Sequence, residues 1–88
     1  MVLNIFSHGL SHHELFTKIS NMLQLHTLLL IQDGVYFGLH LKENINIYAI
    51  QQDVISRGLI NSYPDNIKLI DYNEFVELVL NHDKSITY

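Results

Sequence analysis

The sequence predicts an α/β domain built on a mostly parallel sheet of about four strands, flanked by helices in three layers. Three times, a branched apolar run ends at an acid and passes into a helix-like pattern: Leu28 to Asp33, Ile45 to Asp53 and Ile67 to Asp71. The 88 residues allow one domain with a small core. Only 16% of residues are charged, against an average of roughly a quarter. We therefore expect some apolar surface to face another chain in an oligomer.

The first part of the chain predicts a strand followed by a helix. Val2 to Phe6 is a short apolar stretch, and the polar turn Ser7-His8-Gly9 ends it. Ser11 and Glu14 have the Ser-x-x-Glu spacing of a capping box, which marks the start of a helix. The apolar residues that follow recur at helical spacing: Leu15, Phe16, Ile19, Met22 and Leu23.

The middle of the chain predicts a central strand. His26 to Gln32 is a nearly continuous apolar run, which is typical of a strand buried on both faces, and Asp33-Gly34 ends it. The next segment, Val35 to Leu41, favours a short helix or turn over a strand.

The alternation of strand and helix continues in the second half. Ile45 to Ile50 predicts the third strand, and Gln51 to Arg57 a short helix that ends at Gly58, since glycine readily adopts the left-handed conformation. A loop at Tyr63-Pro64-Asp65 precedes the fourth strand, Ile67 to Ile70.

The last predicted helix begins at Asp71. An acid at this position caps a helix, and Glu74 at its third position completes a capping box. Phe75, Leu78 and Val79 form its apolar face. His82 to Tyr88 is typical of a polar tail that docks or frays.

Charge and composition limit the classes of partner. The net charge is −4, and the five basic residues are spread along the chain, which argues against binding of nucleic acid through a basic surface. Met1 to Leu10 has neither Lys nor Arg nor a long apolar core, so it does not resemble a signal peptide. No apolar run is long enough to span a membrane. We expect a cytoplasmic protein with no direct nucleic-acid or membrane partner.

Several side chains are candidates for a site. Gln32 and Asp33 follow a strand at its carboxyl end, where open α/β sheets bind ligands, although an acid before glycine is also ordinary turn chemistry. A small-ligand site around Gln32, Asp33 and Gln52 therefore stays open as an alternative. Arg57 suits either a helix C-terminus or an interface. Tyr36 and Phe37, in a short connection, are predicted to plug a neighbouring chain.

Other conspicuous residues have structural explanations. Asp53 and Asp71 stand at predicted helix starts, where capping and the helix dipole account for them. The six histidines follow no known metal-ligand spacing and have no cysteine beside them, so we predict neither a metal site nor a cofactor. They are His8, His12, His13, His26, His40 and His82.

Three segments together resemble the DsrH family, small proteins of bacterial sulfur relay. They are LLLIQDGV (28–35), IYAIQQDVISRGL (47–59) and IKLIDYNEFVELVLNH (67–82). Their order, with the pairs Asp33-Gly34, Arg57-Gly58 and Asp71-Tyr72, makes the resemblance specific, and it covers nearly the whole chain. It implies a single DsrE/F/H-like domain spanning residues 1–88.

The resemblance also implies a role in a complex. Such a subunit assembles with TusC-like and TusD-like subunits in a dimer of heterotrimers, which passes a persulfide to a TusE-like acceptor for 2-thiolation of the wobble uridine of tRNA. A persulfide carrier needs a thiolate, and this sequence contains no cysteine, so the carrier cysteine belongs to a partner. The chain is then an accessory subunit and not an enzyme. The predicted partner interface comprises Gln32, Asp33, Tyr36, Phe37 and Arg57.

Overall fold

A five-stranded, all-parallel sheet organises the chain. The computed structural model describes residues 2–9, 27–40 and 46–88. The strand order is β4-β3-β2-β1-β5. The strands are β1 (Val2–Phe6), β2 (Thr27–Leu30), β3 (Asn46–Ile50), β4 (Lys68–Ile70) and β5 (Lys84–Thr87). The predicted α/β class is confirmed, and the four predicted strands are present.

The fifth strand lies in the segment that the sequence predicted as a polar tail. β5 pairs in parallel with β1, with Leu3 opposite Ser85 and Ile5 opposite Thr87. The backbone beyond the strand continues the pairing, because the Tyr88 N–H donates to the Ile5 carbonyl at 2.8 Å. The tail is therefore docked, and it forms one edge of the sheet.

Helices lie on both faces of the sheet. A 3-10 helix, η1 (Gln32–His40), follows β2, α1 (Gln51–Ser56) follows β3, and α2 (Tyr72–Leu80) follows β4. On one face, Val35 and Phe37 of η1 and Val54 of α1 are buried in the core. On the other face, Phe75, Leu78 and Val79 of α2 pack against the sheet. The predicted three-layer arrangement is confirmed.

Two signals at helix ends, at Asp71 and Gly58, behave as predicted. The Asp71 carboxylate accepts a hydrogen bond from the Glu74 N–H at 2.8 Å, and the Glu74 side chain accepts one from the Asp71 N–H, so the capping box is complete. Gly58 follows the end of α1 with a φ of 70°, a left-handed conformation that favours glycine. The predicted short helix in the segment after β2 is present as η1.

Some predictions fall on residues that the structure does not describe. They are the helix that begins at Ser11 and the histidines His12, His13 and His26. Within the three described ranges, no helix is long and apolar enough to cross a membrane.

Candidate partner-binding site

A cluster of polar side chains lies at the carboxyl ends of β2 and β3. We call Gln32, Asp33, Asp53 and Arg57 the acid-arginine cluster. Gln32 and Asp33 open η1, one residue after the end of β2. Asp53 belongs to α1, and Arg57 is the residue that ends it. The carboxyl ends of neighbouring parallel strands meet at one edge of a sheet. Gln32 therefore contacts Asp53, 21 positions away, and Asp33 contacts Arg57, 24 positions away.

Arg57 lies between the two carboxylates of the cluster. Its Nε donates to Asp33 Oδ1 at 3.0 Å, and its Nη1 donates to the Asp53 carbonyl at 3.2 Å. The same Nη1 lies 3.7 Å from Asp53 Oδ1. The Asp33 side chain is 61% exposed, whereas those of Arg57 and Asp53 are 21% and 14% exposed. Asp33 therefore presents a carboxylate to solvent from a position that Arg57 fixes.

Asp53 has a different role from the predicted one. The residue that caps α1 is Ile50, and it makes no side-chain capping bond. Asp53 instead lies within the first turn, where its Oδ2 accepts a hydrogen bond from the Gln32 N–H at 2.8 Å. Gln32 has a φ of 51°, a left-handed conformation that costs a non-glycine residue about 1–2 kcal/mol. Asp53 thus stabilises the strained turn that projects Asp33, and the capping prediction was wrong for this residue.

Close backbone contacts hold the cluster against the end of β1. A Cβ on Gly34 would overlap the Phe6 carbonyl, so only glycine allows η1 to approach β1 this closely. The Ile31 N–H donates to the same carbonyl at 3.0 Å. Gly9, after β1, lies beside Asp33, since a Cβ there would be 3.5 Å from the Asp33 Cβ. The cluster therefore rests on three neighbouring strand ends.

The two aromatic residues predicted at an interface occupy different environments. Phe37 is 2% exposed and packs edge-on against Phe6, with the ring centroids 5.2 Å apart. Its side chain completes the core of its own chain, so the expectation that it plugs a neighbour is wrong. Tyr36, the preceding residue, is only partly buried and stays accessible to a partner.

One residue of the alternative ligand site lines a pocket. An open pocket of about 460 Å³ lies between α1 and the start of α2. Gln52 lines it, whereas Gln32 and Asp33 do not. The lining residues are Gln51, Gln52, Ile55, Ser56, Asp71 and Tyr72.

Sequence reasoning missed one exposed feature beside this pocket. Tyr72, Val76 and Leu80 on α2 are 49%, 56% and 77% exposed. They are spaced four residues apart and so form a stripe along one side of the helix. Since Phe75, Leu78 and Val79 already cover the sheet, α2 is more apolar than one buried face requires. The signal in the sequence was the number of apolar residues between Tyr72 and Leu80, which is more than one side of a helix can bury.

Histidine side chains form no ligand set in the described part of the chain, where no group of three or more His, Cys, Asp or Glu could hold a metal ion. His82 has a structural environment. Its Nδ1 lies 2.7 Å from the Leu78 carbonyl, and its Nε2 lies 2.9 Å from the Thr27 hydroxyl.

Comparison with known proteins identifies the class to which this fold and sequence belong. Residues 10–85 match the family described as DsrH like protein, so the chain belongs to the DsrH family. Among curated proteins, it is 33% identical over 90 residues to Protein TusB of Yersinia pestis (strain Pestoides F), a match that covers 89% of this chain and 95% of the relative. Protein TusB of Yersinia pseudotuberculosis serotype O:1b (strain IP 31758) matches equally well.

Two solved structures share the fold. The solution structure of Protein Tm0979 from Thermotoga maritima has a TM-score of 0.70 at 30% identity, covering 94% of this chain and 95% of that one. The crystal structure of the ychN protein from E. coli has a TM-score of 0.77 and covers 99% of this chain and 97% of that one. Its 16% identity supports a common fold alone.

Proposed function

We propose that the chain is a non-catalytic subunit of a Tus-type sulfur-relay complex that supports 2-thiolation of the wobble uridine of tRNA. The observation that carries this proposal is the 33% identity to Protein TusB over 89% of the chain. The sequence has no cysteine, and a persulfide carrier needs a thiolate, so the sulfur-carrying residue belongs to a partner subunit. The role of this chain is to assemble and shape the complex.

The proposed partners are TusC-like and TusD-like subunits in a cytoplasmic dimer of heterotrimers that serves a TusE-like acceptor. The net charge of −4 opposes a direct contact with tRNA. Arg57, the basic residue of the acid-arginine cluster, is already occupied by Asp33 and by the Asp53 carbonyl. The chain thus supports tRNA modification without binding the RNA.

The acid-arginine cluster and Tyr36 are one proposed contact with these partners. Asp33 offers an exposed carboxylate, and its position is fixed by Arg57 and by the Asp53-stabilised turn at Gln32. A preorganised polar group of this kind loses little freedom on binding, which favours specific recognition. Phe37 leaves the interface because the core buries it.

The test is to co-express the chain with TusC-like and TusD-like subunits of the same genome and to measure particle mass by light scattering. We expect a particle of about six chains that forms only with the partners. Tyr36→Glu should reduce assembly, whereas Asp65→Lys, in the exposed loop before β4, should not. A stable monomer that ignores both partners would contradict the proposal and favour the alternative, a small-ligand-binding protein, to be followed by ligand screening around Asp33.

A further inference from the structure

The exposed side of α2 is a second candidate contact surface. Tyr72, Val76 and Leu80 leave about half or more of their surface in water, with Leu80 77% exposed. At the amino end of the helix, the Tyr72 ring borders the open pocket, together with Ile55, which is 52% exposed. These four residues form the α2 stripe. Neighbouring exposed apolar side chains of this size mark interaction surfaces more often than solitary ones do.

The charged side chains on α2 and at its amino-terminal cap all have one sign. Asp71, Glu74 and Glu77 lie on the helix or at its cap, and all three are exposed. The helix sequence YNEFVELVL contains neither Lys nor Arg. The carboxylates are therefore not neutralised from within the helix. Helical spacing places Glu77 beside Leu80 and Glu74 on the opposite side of α2. The acidic border of the stripe is therefore formed by Glu77 along the helix and by Asp71, which lines the pocket with Tyr72.

This border decides between a second copy and a different partner. In a symmetric dimer through α2, the same patch meets itself, so Glu77 of one copy would face the acids of the other. Like charges brought together at an interface oppose association. An anionic lipid surface is disfavoured for the same reason. Charge complementarity instead requires a partner of different sequence with basic side chains.

We propose that the α2 stripe and its pocket dock a partner subunit whose apolar side chains are bordered by Lys and Arg, and that one of these basic side chains enters the pocket. The pocket suits such a side chain, because Ile55 and Tyr72 offer apolar surface for its aliphatic stem and Asp71 supplies a carboxylate for its head. An arginine would also stack on the Tyr72 ring. This inference rests on the proposed function, since the basic partner is a neighbouring subunit of the complex.

The experiment compares variants in the co-expressed complex with TusC-like and TusD-like subunits. Val76→Glu with Leu80→Glu should weaken assembly at least about 100-fold, because it places charges in the apolar centre. Glu77→Lys should weaken it about tenfold by reversing one border charge. Both variants should fold normally, as monitored by circular dichroism and thermal unfolding, because all three side chains are exposed.

Matched controls separate the stripe from general effects of charge. Ile60→Glu places the same charge on an apolar loop residue that is 38% exposed, and it should leave assembly within about twofold of wild type. Asp71→Asn keeps a side chain that caps α2 but removes the carboxylate charge in the pocket. It should weaken assembly severalfold, while the lost interaction with the helix dipole lowers the thermal midpoint only slightly.

The outcomes distinguish a failure of the docking surface from a failure of the proposed function. If the wild-type complex forms and the stripe variants assemble as tightly as wild type, the docking surface is wrong and the proposed function stands. If the wild-type chain forms no complex, both proposals are wrong. If the chain alone self-associates with rising concentration and the stripe variants abolish that association, the occupant is a second copy and the basic partner is wrong.

Discussion

The Tyr63 side chain connects the loop before β4 to η1. Its hydroxyl donates to the Val35 carbonyl at 2.9 Å, and its ring lies so close to Gly38 that a Cβ there would overlap it. Burial raises the pKa of the Tyr63 phenol above its usual value near 10, because the charged phenolate loses its hydration. The native state therefore keeps this proton at a pH where the unfolded chain has lost it.

Stability should fall at high pH through Tyr63. The folded pKa is raised, so its contribution is complete below about pH 10 and decreases above that pH by up to about 1.4 kcal/mol per unit. Tyr63→Phe should lower the free energy of unfolding by about 0.5–1.5 kcal/mol at pH 7. In urea unfolding curves, the difference in free energy of unfolding between wild type and Tyr63→Phe should shrink above pH 10. Tyr72→Phe removes a hydroxyl from an exposed ring, so its free energy of unfolding should change with pH as that of wild type does. Parallel pH profiles for wild type and Tyr63→Phe would contradict this account.

Individual residues were predictable where the chemistry is local. Asp71 caps α2 as expected, because a capping box involves only neighbours in the sequence. Asp53 was not predictable, since its partner is the Gln32 N–H 21 positions away. Phe37 was assigned to the surface because the sequence does not show which side of a short helix faces Phe6. The sequence predicted Gln32 and Asp33 at the carboxyl end of a strand, but their contacts with Asp53 and Arg57 depend on the tertiary structure.

His82 joins the end of one element to the start of another. The Leu78 carbonyl, near the end of α2, can only accept, so the Nδ1 of His82 donates to it. Nε2 of His82 forms a hydrogen bond with the hydroxyl of Thr27, the first residue of β2. Thr27 is only 3% exposed. This bridge links α2 to the centre of the sheet.

A double-mutant cycle measures the bridge. Thr27→Val and His82→Ala should each lower the free energy of unfolding, because each leaves a partner unsatisfied. The double variant should lose less than the sum of the two, with a coupling energy of about 0.5–1.5 kcal/mol from urea denaturation. Additive losses would mean that the contact contributes nothing to stability.

Elements were predictable in proportion to the apolar surface that they bury. β1 to β4 carry the buried runs that mark strands in a parallel sheet, and all four were predicted. β5 was missed because only Ile86 of its four residues is partly buried, while Lys84, Ser85 and Thr87 are exposed. Backbone pairing with β1 holds this strand, and backbone pairing leaves no pattern in the sequence. The exposed lysine also protects a free sheet edge from unwanted pairing.

At the scale of the whole molecule, β5 protects the edge of β1. Deleting residues 84–88 removes the β1–β5 ladder and the bond from the Tyr88 N–H to Ile5, which leaves the backbone groups of β1 open to another chain. We expect the truncated chain to unfold at lower urea and to self-associate in sedimentation velocity. Ile86→Ala, which keeps the ladder, should remain monomeric and lose about 1–2 kcal/mol. A truncated chain that stays monomeric, with an unchanged unfolding midpoint, would contradict this role.

The pairing of β1 with β5 also sets the order in which the domain can form during translation. Ribosomes add roughly 5–20 residues per second, so Val2–Phe6 leaves the exit tunnel seconds before Lys84–Thr87, its neighbour in the sheet. Contacts this distant in sequence also slow the folding search, because a long loop must close before they form. In the cell, the nascent chain therefore carries an incomplete sheet throughout elongation, and chaperones have that interval in which to shield it.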